Sequence, residues 1–367
     1  MKFFACSFLL FATSAFAGVS VSSPANNTKV SAPVHFVATA TTGCASGVSS
    51  MGIYTAPSVL AYKVSGSSLN TNLSLAAGTY KTVVQEWDKC GGASKIPITI
   101  TVSSSSTVSA SGHVVVVLEE NHSYSSVIGS SSMPYLNSLA SKYGLATQYY
   151  ANTHPSIGNY FMLTAGQIIT NNDSLCSTLT QDNIVRHLLT AGKTWKSYAE
   201  GLPTAGYTGC GSGSYVKRHN PLAYFSDVAN SSEKFNLVPF TRFSTDLANN
   251  TLPNFSFIVP NLLHDAHDGS LSAADSWLKT NIAPLIASAT FQKDGILIIV
   301  FDESFDTDTA YRGGHIAALV IGPKAKPGYK STILYQHQNT LKTVMKALGL
   351  SSFPGAASSA ASMSDFF

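Results

Sequence analysis

Two apolar runs of this chain each end on side chains of the kind that bind metal ions. The first run leads into the acidic pair Glu119-Glu120, followed by Asn121, and the second, far along the chain, leads into the acidic pair Asp302-Glu303. Carboxylate and amide oxygens are ligands for hard divalent cations. A divalent cation at such a place can polarise a phosphoryl oxygen and lower the pKa of a hydroxyl group. The two acidic pairs therefore predict a metal-assisted hydrolase.

Both runs are predicted to be strands that are buried on both faces. Residues 113–118 and 295–301 are rich in valine, isoleucine and leucine, a pattern typical of a parallel sheet covered by helices. In open α/β sheets, ligands bind just beyond the carboxyl ends of the strands. The acidic pairs can therefore meet at one edge of a sheet although they are distant in sequence.

A hydroxyl group suited to attack on phosphorus lies between the two acidic pairs. Ser156 stands just before a helical stretch, with His154 before it and Asn159 after it. A metal ion would activate the Ser156 hydroxyl, while helix N–H groups and Asn159 could face the phosphate oxygens. His154 is near enough in sequence to protonate a leaving group. Taken alone, the segment is also compatible with an ordinary loop.

Histidines supply two further clusters. His264, Asp265 and His267 follow a predicted strand within a few positions of one another, so they could form a metal site or a phosphate clamp. His315 follows two glycines that let the backbone approach a ligand closely, and it could bind phosphate or act as an acid. Other histidines are expected to be at the surface or hydrogen-bonded, without a catalytic role: His187, His219 and His337.

The chain has 367 residues, enough for two domains. Residues 18–103 alternate apolar and polar residues in short segments between turns, which predicts a β-sandwich. Its Ser-Pro-Ala-Asn-Asn opening and late Ala-Gly-Thr-Tyr resemble bacterial immunoglobulin-like modules. Residues 104–112 are rich in serine and threonine and are predicted to be a flexible linker.

Residues 113–350 alternate predicted strands and helices, which indicates an α/β domain with a mainly parallel sheet sandwiched by helices. The predicted helices cover residues 134–144, 181–192, 272–285 and 338–349, and further strands are predicted at 255–260 and 317–322. Residues 351–367 are mostly small and are expected to form a flexible tail.

The N-terminus resembles a secretory signal peptide. Residues 1–17 contain Lys2, a short apolar stretch and small residues before a cleavage point. The apolar stretch is too short for a membrane anchor. We therefore expect a secreted, periplasmic or cell-surface protein whose mature chain starts at Gly18.

Four cysteines remain after the signal peptide, and an even number in an exported chain favours disulfides. Three pairings are possible from sequence. The division into two domains favours Cys44–Cys90 and Cys176–Cys210. A zinc site is the alternative, but no C-x-x-C spacing supports it.

The composition argues against a nucleic-acid partner. Only 11% of the residues are charged and the net charge is +3. Basic residues cluster only at Lys217-Arg218 and more loosely around Lys326. Nucleic-acid binding relies on a concentrated basic surface, which this sequence does not predict.

The segments with possible chemistry stand in a recognisable order. In sequence they are Glu120-Asn-His-Ser-Tyr124, Tyr149-Tyr-Ala-Asn-Thr-His-Pro-Ser-Ile-Gly-Asn-Tyr160, Pro260-Asn-Leu-Leu-His-Asp-Ala-His-Asp268, Phe301-Asp-Glu303 and Gly314-His315. Together they resemble the phosphoesterase family of secreted acid phosphatases and bacterial phospholipases C, within the alkaline-phosphatase-like superfamily. The likeness covers residues 113–350.

This resemblance implies a divalent metal ion and a phosphorylated serine. The implied metal ligands are Glu120, Asn121, Ser156, Asp302 and Glu303. The implied catalytic groups are the nucleophile Ser156, the phosphate contact Asn159, the orienting or ligating Asp265, and the histidines that hold phosphate or assist the leaving group, His154, His264, His267 and His315.

Two features favour the acid-phosphatase branch. Phospholipases of the family usually carry Glu-Asn-Arg-Ser-Phe-Asp where this chain has residues 120–125, and they tend to use threonine as the nucleophile. The sequence therefore predicts a secreted, metal-dependent phosphomonoesterase acting on a small phosphate ester. The alternatives are a phospholipase C-type phosphodiesterase acting on a phospholipid headgroup, a phosphoinositide phosphatase, and a non-catalytic adhesion protein. For the front module, a cell surface or a polysaccharide is the expected partner.

Overall fold

The computed structural model describes residues 18–30, 32–73, 75, 78–102 and 107–367. The chain divides into two compact units, with the boundary between Ser106 and Thr107. The predicted signal peptide and residues 103–106 around the start of the predicted linker lie outside the described residues.

The first unit is all-β. Its strands are β1 Gly18–Ser23, β2 Thr28–Val30, β3 Val34–Thr41, β4 Val48–Ala56, β5 Val59–Ser65, β6 Ser68–Leu73, β7 Gly78–Asp88 and β8 Ala93–Val102. They form a three-stranded sheet, β1-β3-β6, and a five-stranded sheet, β2-β8-β7-β4-β5. Phe36, Ile53 and Ile100 are fully buried in one apolar cluster that draws on both sheets. The all-β fold predicted here is confirmed, and every second residue of β3 from Val34 is buried or partly buried, as expected for a strand with one face on a core.

The second unit contains the remaining strands and all the α-helices of the described chain. Its strands are β9 Val114–Glu119, β10 Gly144–Ala146, β11 Trp195–Ala199, β12 Gly211–Ser212, β13 Tyr215–Val216, β14 Leu237–Pro239, β15 Phe255–Val259, β16 Ile296–Phe301, β17 Ala318–Ile321 and β18 Lys330–Ser331. Its α-helices are α1 Tyr124–Val127, α2 Pro134–Lys142, α3 Ile157–Ala165, α4 Ile184–Thr190, α5 Ser226–Ala229, α6 Thr241–Ala248, α7 Leu271–Ala287, α8 Ala289–Asp294 and α9 His337–Ala347. Short 3-10 helices cover Lys217–His219, Pro221–Tyr224, Ser232–Asn236, Ala310–Arg312, Gly355–Ser358 and Ser364–Phe366.

An eight-stranded sheet of order β14-β11-β15-β9-β16-β17-β10-β18 forms the centre of this unit. Neighbouring strands from β14 to β16 run parallel. Every residue of β9, β15 and β16 is buried, as expected for strands covered on both faces. Helices pack in pairs, α2 with α7 and α3 with α9. The predicted mainly parallel α/β fold is confirmed.

One predicted strand runs against the others. β17 is antiparallel to both β16 and β10. Its first residues therefore lie at the sheet edge where β9, β15 and β16 end. This reversal brings His315, which precedes β17, to the same edge as the acidic pairs.

Local capping explains one difference from the predicted helices. We expected a helix from residue 181, but α4 begins at Ile184. The side chain of Asn183 accepts hydrogen bonds from the backbone N–H groups of Val185 and Arg186 at 3.0 and 3.4 Å. A side-chain acceptor of this kind fixes the first turn of a helix.

The C-terminal segment is packed on the second unit, so the expectation of a flexible tail is wrong. Met363 and Phe366 are fully buried in the core of the second unit. The Asp365 carboxylate accepts hydrogen bonds from the hydroxyl groups of Tyr335 at 2.6 Å and Ser331 at 2.5 Å. Two buried apolar side chains and one hydrogen-bonded carboxylate therefore fix the position of a segment whose composition is dominated by small residues.

Each unit contains one disulfide, Cys44–Cys90 in the first and Cys176–Cys210 in the second. Both predicted pairings are confirmed, and the alternative zinc site is excluded for these four cysteines. No helix among the described residues is long and apolar enough to cross a membrane.

Candidate active site

The ends of β9 and β16 lie side by side at the carboxyl edge of the sheet. Glu119 is in register with Phe301, so the residues that follow, Glu120 and Asp302, are neighbours. The backbone N–H of Asp302 donates to the Glu119 carbonyl at 2.9 Å. Glu120, Asp302 and Glu303 are at most 3% exposed. The structure thus brings the two acidic pairs together in the interior.

Ser156 lies between these pairs. Its Oγ is 3.1 Å from Glu120 Oε2 and 3.1 Å from Glu303 Oε1. The residue is 2% exposed and immediately precedes α3. Gly158 allows this close fit, because a Cβ there would lie 2.6 Å from the Thr153 side chain. The hydroxyl is therefore in contact with one carboxylate from each strand end.

Asn121 has a left-handed backbone conformation, with φ of 53°. Asparagine adopts this region more readily than most residues. The turn aims the Asn121 N–H at Asp302 Oδ1, 3.1 Å away, and the Glu303 N–H reaches the same oxygen at 2.6 Å. The other oxygen, Asp302 Oδ2, is buried and has no hydrogen-bond partner among the described residues.

Burial and mutual repulsion oppose ionisation of the carboxyl groups in the acidic cluster. Burial raises the pKa of Glu120 well above its usual range, and the nearby charge of Asp302 adds to this effect. Burial, followed by the charge of Asp302, likewise raises the pKa of Glu303. Both shifts show that the folded chain alone does not compensate these carboxylates.

A divalent cation fits this donor set. The partnerless Asp302 Oδ2, the carboxylates of Glu120 and Glu303, the Ser156 hydroxyl and the adjacent Asn121 offer oxygen ligands to a hard ion. His154, Glu303 and Asp306 also offer ligand atoms within 4.8 Å of one another, as do Glu120, His219 and His267. The sequence therefore folds into a centre of oxygen ligands around Ser156, flanked by imidazoles.

His154 is attached to the acidic cluster. Its Nδ1 lies 2.7 Å from Glu303 Oε2, and its Nε2 lies 3.0 Å from the Asp308 carbonyl oxygen. Both ring nitrogens therefore face oxygen atoms of the 302–308 segment. This arrangement orients Glu303, the carboxylate that also contacts Ser156.

His219 is a site residue that the sequence analysis missed. It is 1% exposed, with Nε2 3.2 Å from Glu120 Oε1 and Nδ1 3.1 Å from Asp265 Oδ2. Its ring stacks on Tyr160 at 5.1 Å with an interplanar angle of 2°. The Tyr160 hydroxyl donates a short hydrogen bond to the same oxygen of Glu120. Its sequence context does not distinguish it from the other histidines, because its partners come from distant segments.

Arg218 and His267 lie near Asp265. The backbone N–H of His267 donates to Asp265 Oδ1 at 2.8 Å, and His267 Nδ1 is 2.8 Å from Asp268 Oδ1. His267 Nε2 is 3.4 Å from a terminal nitrogen of Arg218. Arg218 Nε is buried without a hydrogen-bond partner among the described residues. Burial raises the pKa of Asp265 to about 7. The pKa of His219 is lowered, mainly by burial and further by the charges of Arg218 and His267. Arg218 thus offers N–H groups to an anion beside His267.

A pocket of about 280 Å³ opens at Ser156. It is lined by Asn121, Pro155, Ser156, Asp173, His267, Glu303, Ser304, Phe305 and Asp306. The predicted nucleophile, two predicted metal ligands and one predicted histidine therefore share one solvent-accessible cavity.

Asn159 is placed differently from the predicted phosphate contact. Its Nδ2 donates to the Thr153 carbonyl at 2.8 Å, and its Oδ1 accepts from the N–H groups of Asn152 and Thr153 at 2.9 and 3.2 Å. Both ends of the amide therefore bind the loop before Ser156. In this arrangement Asn159 holds the shape of the nucleophile loop.

His264 and His315 also have partners outside the acidic cluster. His264 Nδ1 is 2.9 Å from Glu200 Oε1, and its side chain is 39% exposed. His315 Nε2 is 3.1 Å from the Thr147 carbonyl oxygen, and its ring stacks on Tyr124 at 4.4 Å. The structure thus brings both to the edge that carries the site, but not into contact with Ser156.

The chain is similar to known phosphatases over more than half of its length. Residues 130–351 match the model of the Phosphoesterase family. A phosphatidylinositol-3-phosphatase of Mycobacterium tuberculosis is 36% identical over 243 residues, which cover 65% of this chain and 77% of that protein. A probable acid phosphatase of Kluyveromyces lactis is 29% identical over 290 residues, covering 76% and 68%.

One similar solved structure is that of a protein in the alkaline phosphatase superfamily from Vibrio parahaemolyticus. It superimposes with a TM-score of 0.47 at 14% sequence identity, and the match covers 69% of this chain and 71% of that chain. The sequence matches confirm the prediction of a phosphoric ester hydrolase. The family model spans more than half of the chain, and the chain belongs to the Phosphoesterase family.

Proposed function

We propose that this protein is a metal-dependent phosphomonoesterase in which Ser156 is the nucleophile. The observation that carries the proposal is the position of Ser156 Oγ, 3.1 Å from Glu120 Oε2 and from Glu303 Oε1 within a buried acidic cluster. A serine hydroxyl becomes an effective nucleophile when an adjacent base accepts its proton or a metal lowers its pKa. The cluster offers both.

Each step of phosphoryl transfer can be assigned to particular residues of the site. Ser156 Oγ forms a bond to phosphorus as its proton passes to one of the two carboxylates, and the bond to the leaving alcohol breaks. Arg218 donates N–H groups to the phosphoryl oxygens and opposes their negative charge, with His267 beside it. Water then attacks the phosphoserine and releases inorganic phosphate. A divalent ion held by Glu120, Asn121, Ser156, Asp302 and Glu303 would neutralise charge on the phosphoryl oxygens.

Three residues position Glu120 rather than touch the substrate. Asp265 orients His219, whose Nε2 faces Glu120 Oε1, and Tyr160 donates to the same oxygen. Residues that orient a metal ligand are needed for affinity as well as geometry. We therefore assign Asp265, His219 and Tyr160 to the support of Glu120.

A phosphoinositide monoester is the second candidate substrate. The Mycobacterium tuberculosis relative, 36% identical, is named for hydrolysis of such a lipid. The chemistry would be the same monoester hydrolysis by Ser156, so the two candidates differ only in the leaving group. A phospholipase C activity would instead require the pocket to accept a phosphodiester.

We also propose that the chain is exported and that its first unit attaches it to a cell surface or a polysaccharide. Support for export comes from the two disulfides, which persist in oxidising compartments. N-terminal sequencing of protein recovered from the culture medium or periplasm tests this point. We expect Gly18 as the first residue, and retention of residues 1–17 on the mature chain would contradict the proposal.

The activity test compares three esters. We expect hydrolysis of p-nitrophenyl phosphate that is lost with EDTA and restored by a divalent metal, with much slower hydrolysis of bis-p-nitrophenyl phosphate. Phosphatidylinositol 3-phosphate tests the second candidate. Faster cleavage of the diester would indicate the phosphodiesterase alternative. No hydrolysis of any ester at any metal content would favour the adhesion alternative.

A further inference from the structure

We propose that Phe305, supported by His122, forms the leaving-group wall of the active-site pocket. The site would then take phosphate monoesters of flat, aromatic alcohols that carry no second negative charge. This inference rests on the proposed function and names its substrate class. It assigns a binding role to two residues that take no part in the proposed phosphoryl transfer.

Phe305 combines exposure with a place in the pocket. Its side chain is 44% exposed, and it lines the same cavity as Ser156. Single exposed apolar residues are common on protein surfaces. Phe305 differs from an ordinary one because the atom that would attack phosphorus opens into the same cavity. A substrate bound there would place its leaving group within reach of the exposed ring.

His122 ties the Phe305 ring to the catalytic strand end. The two ring centroids are 5.0 Å apart with an interplanar angle of 56°. His122 Nδ1 is 3.0 Å from the Glu120 carbonyl oxygen, and its ring packs edge-on against Phe301 at 6.4 Å. The wall therefore rests on β9 and β16, the same strands that hold the acidic cluster.

The loop that carries Phe305 is closed by backbone contacts. The Ser304 N–H donates to the Gly313 carbonyl at 3.0 Å, and the Asp308 N–H donates to the Phe305 carbonyl at 2.8 Å. A Cβ on Gly314 would lie 2.0 Å from Ser304 Oγ, and this glycine has φ of +81°. Only glycine fits such a close approach in the left-handed region. The aromatic ring is thus presented by a preorganised turn, which lowers the entropic cost of binding.

The charges of the rim select against a second anion. Asp306, with a side chain 93% exposed, and Asp173 line the pocket together with Phe305. None of the described residues that line it is a lysine or an arginine. Carboxylates at a pocket mouth repel a negatively charged leaving group. Arg218, whose Nε is 3.9 Å from Asp173 Oδ2, is already assigned to the reacting phosphate, so the exposed Asp306 carboxylate remains to repel a second anion.

The size of the pocket agrees with one ring. A cavity of about 150 Å³ is enough to hold a benzene molecule. The pocket measures about 280 Å³, which leaves room for a phosphoryl group beside a single ring. Phe305 would stack on that ring in an offset or edge-to-face arrangement.

The test measures binding of phosphonates, which are not hydrolysed, by titration calorimetry on the metal-loaded protein. Wild type should bind phenylphosphonate more tightly than methylphosphonate, since the two probes differ only in the ring. In Phe305→Ala we expect this preference to fall about 3- to 10-fold, the range of one aromatic contact. Phe305→Tyr should keep the preference. Phe235→Ala is the matched control, because Phe235 is 60% exposed and does not line the pocket, so the preference should be unchanged.

A second comparison uses only wild type. We expect 4-carboxyphenylphosphonate to bind several-fold more weakly than phenylphosphonate at low salt, with the difference shrinking at high salt. An unchanged phenyl preference in Phe305→Ala, or equal binding of the two aryl phosphonates, would overturn the inference. If the proposed function is wrong, the result is different. Wild type then does not hydrolyse p-nitrophenyl phosphate, whatever its affinities for the phosphonates.

Discussion

His337 is a buried histidine that ties α9 to the end of β16. Its Nε2–H donates to the Asp302 carbonyl at 2.6 Å, and its Nδ1 lies 3.2 Å from the Tyr149 hydroxyl. Burial lowers the pKa of His337 from 6.5 to about 4. The folded protein therefore keeps this ring neutral at pH values where the unfolded chain protonates it.

This difference makes stability depend on pH with a definite sign. Between about pH 6.5 and pH 4 the unfolded state carries one more proton on His337 than the folded state, so the contribution of His337 to the free energy of unfolding falls as the pH falls. The stabilisation is complete above pH 6.5 and is lost as the pH approaches 4. A pKa difference of about 2.5, at about 1.36 kcal/mol for each pKa unit, corresponds to roughly 3 kcal/mol by pH 4.

Replacing His337 by glutamine should remove this contribution. A glutamine side chain keeps a donor and an acceptor but does not titrate. We expect His337→Gln to be less stable than wild type at pH 7.5, with a deficit that shrinks by about 3 kcal/mol on going to pH 4. For a unit of this size that change corresponds to roughly 6–12 °C in the difference between the two melting temperatures.

The assay is urea or thermal unfolding of both proteins between pH 7.5 and pH 4, followed by the signal of the second unit. His35→Gln serves as control, since His35 lies in the first unit while the assay follows the second, and its unfolding curves should match those of wild type. A constant difference between wild type and His337→Gln across this range would refute the reasoning.

Three further outcomes are expected. Ser156→Ala should reduce turnover of p-nitrophenyl phosphate by more than about 10³-fold while the melting temperature stays within a few degrees, and retained turnover would move the nucleophile elsewhere. Tyr160→Phe removes a hydrogen bond to buried Glu120, so we expect metal affinity to fall about 10-fold or more, and calorimetry showing unchanged affinity would contradict this. Because burial raises the pKa of Glu120 and Glu303, the contribution of these two carboxyl groups to the stability of the metal-free protein should fall as the pH rises. The melting-temperature gain on adding a divalent metal should therefore be larger at pH 8 than at pH 5, and a pH-independent gain would count against it.

The strands that position the site could be predicted because their signal is local. β9 and β16 are unbroken apolar runs, and each is followed at once by an acidic pair. The rule that ligands bind at the carboxyl ends of parallel strands then places Glu120 near Asp302 without any knowledge of the tertiary structure. The direction of β17 had no such signal, because a buried antiparallel strand and a buried parallel strand have the same apolar pattern.

The partners of individual side chains could not be predicted in the same way. In the sequence, His219 cannot be distinguished from the other histidines, since its partners Glu120 and Asp265 come from distant segments that only the folded sheet brings together. Asn159 is three residues from Ser156, but both ends of its side-chain amide are hydrogen-bonded to the backbone of Asn152 and Thr153. Such outcomes depend on rotamer and loop geometry, which sequence spacing does not specify.

The central claim is that Ser156, held between Glu120 and Glu303, becomes phosphorylated during turnover. The most direct test is rapid acid quenching of the metal-loaded enzyme with p-nitrophenyl phosphate, followed by peptide mass spectrometry. We expect the mass increment of one phosphoryl group on the peptide that contains Ser156, at that residue, and none in Ser156→Ala. A phosphoryl group on another residue, or full turnover with no labelled peptide at any quench time, would contradict the account.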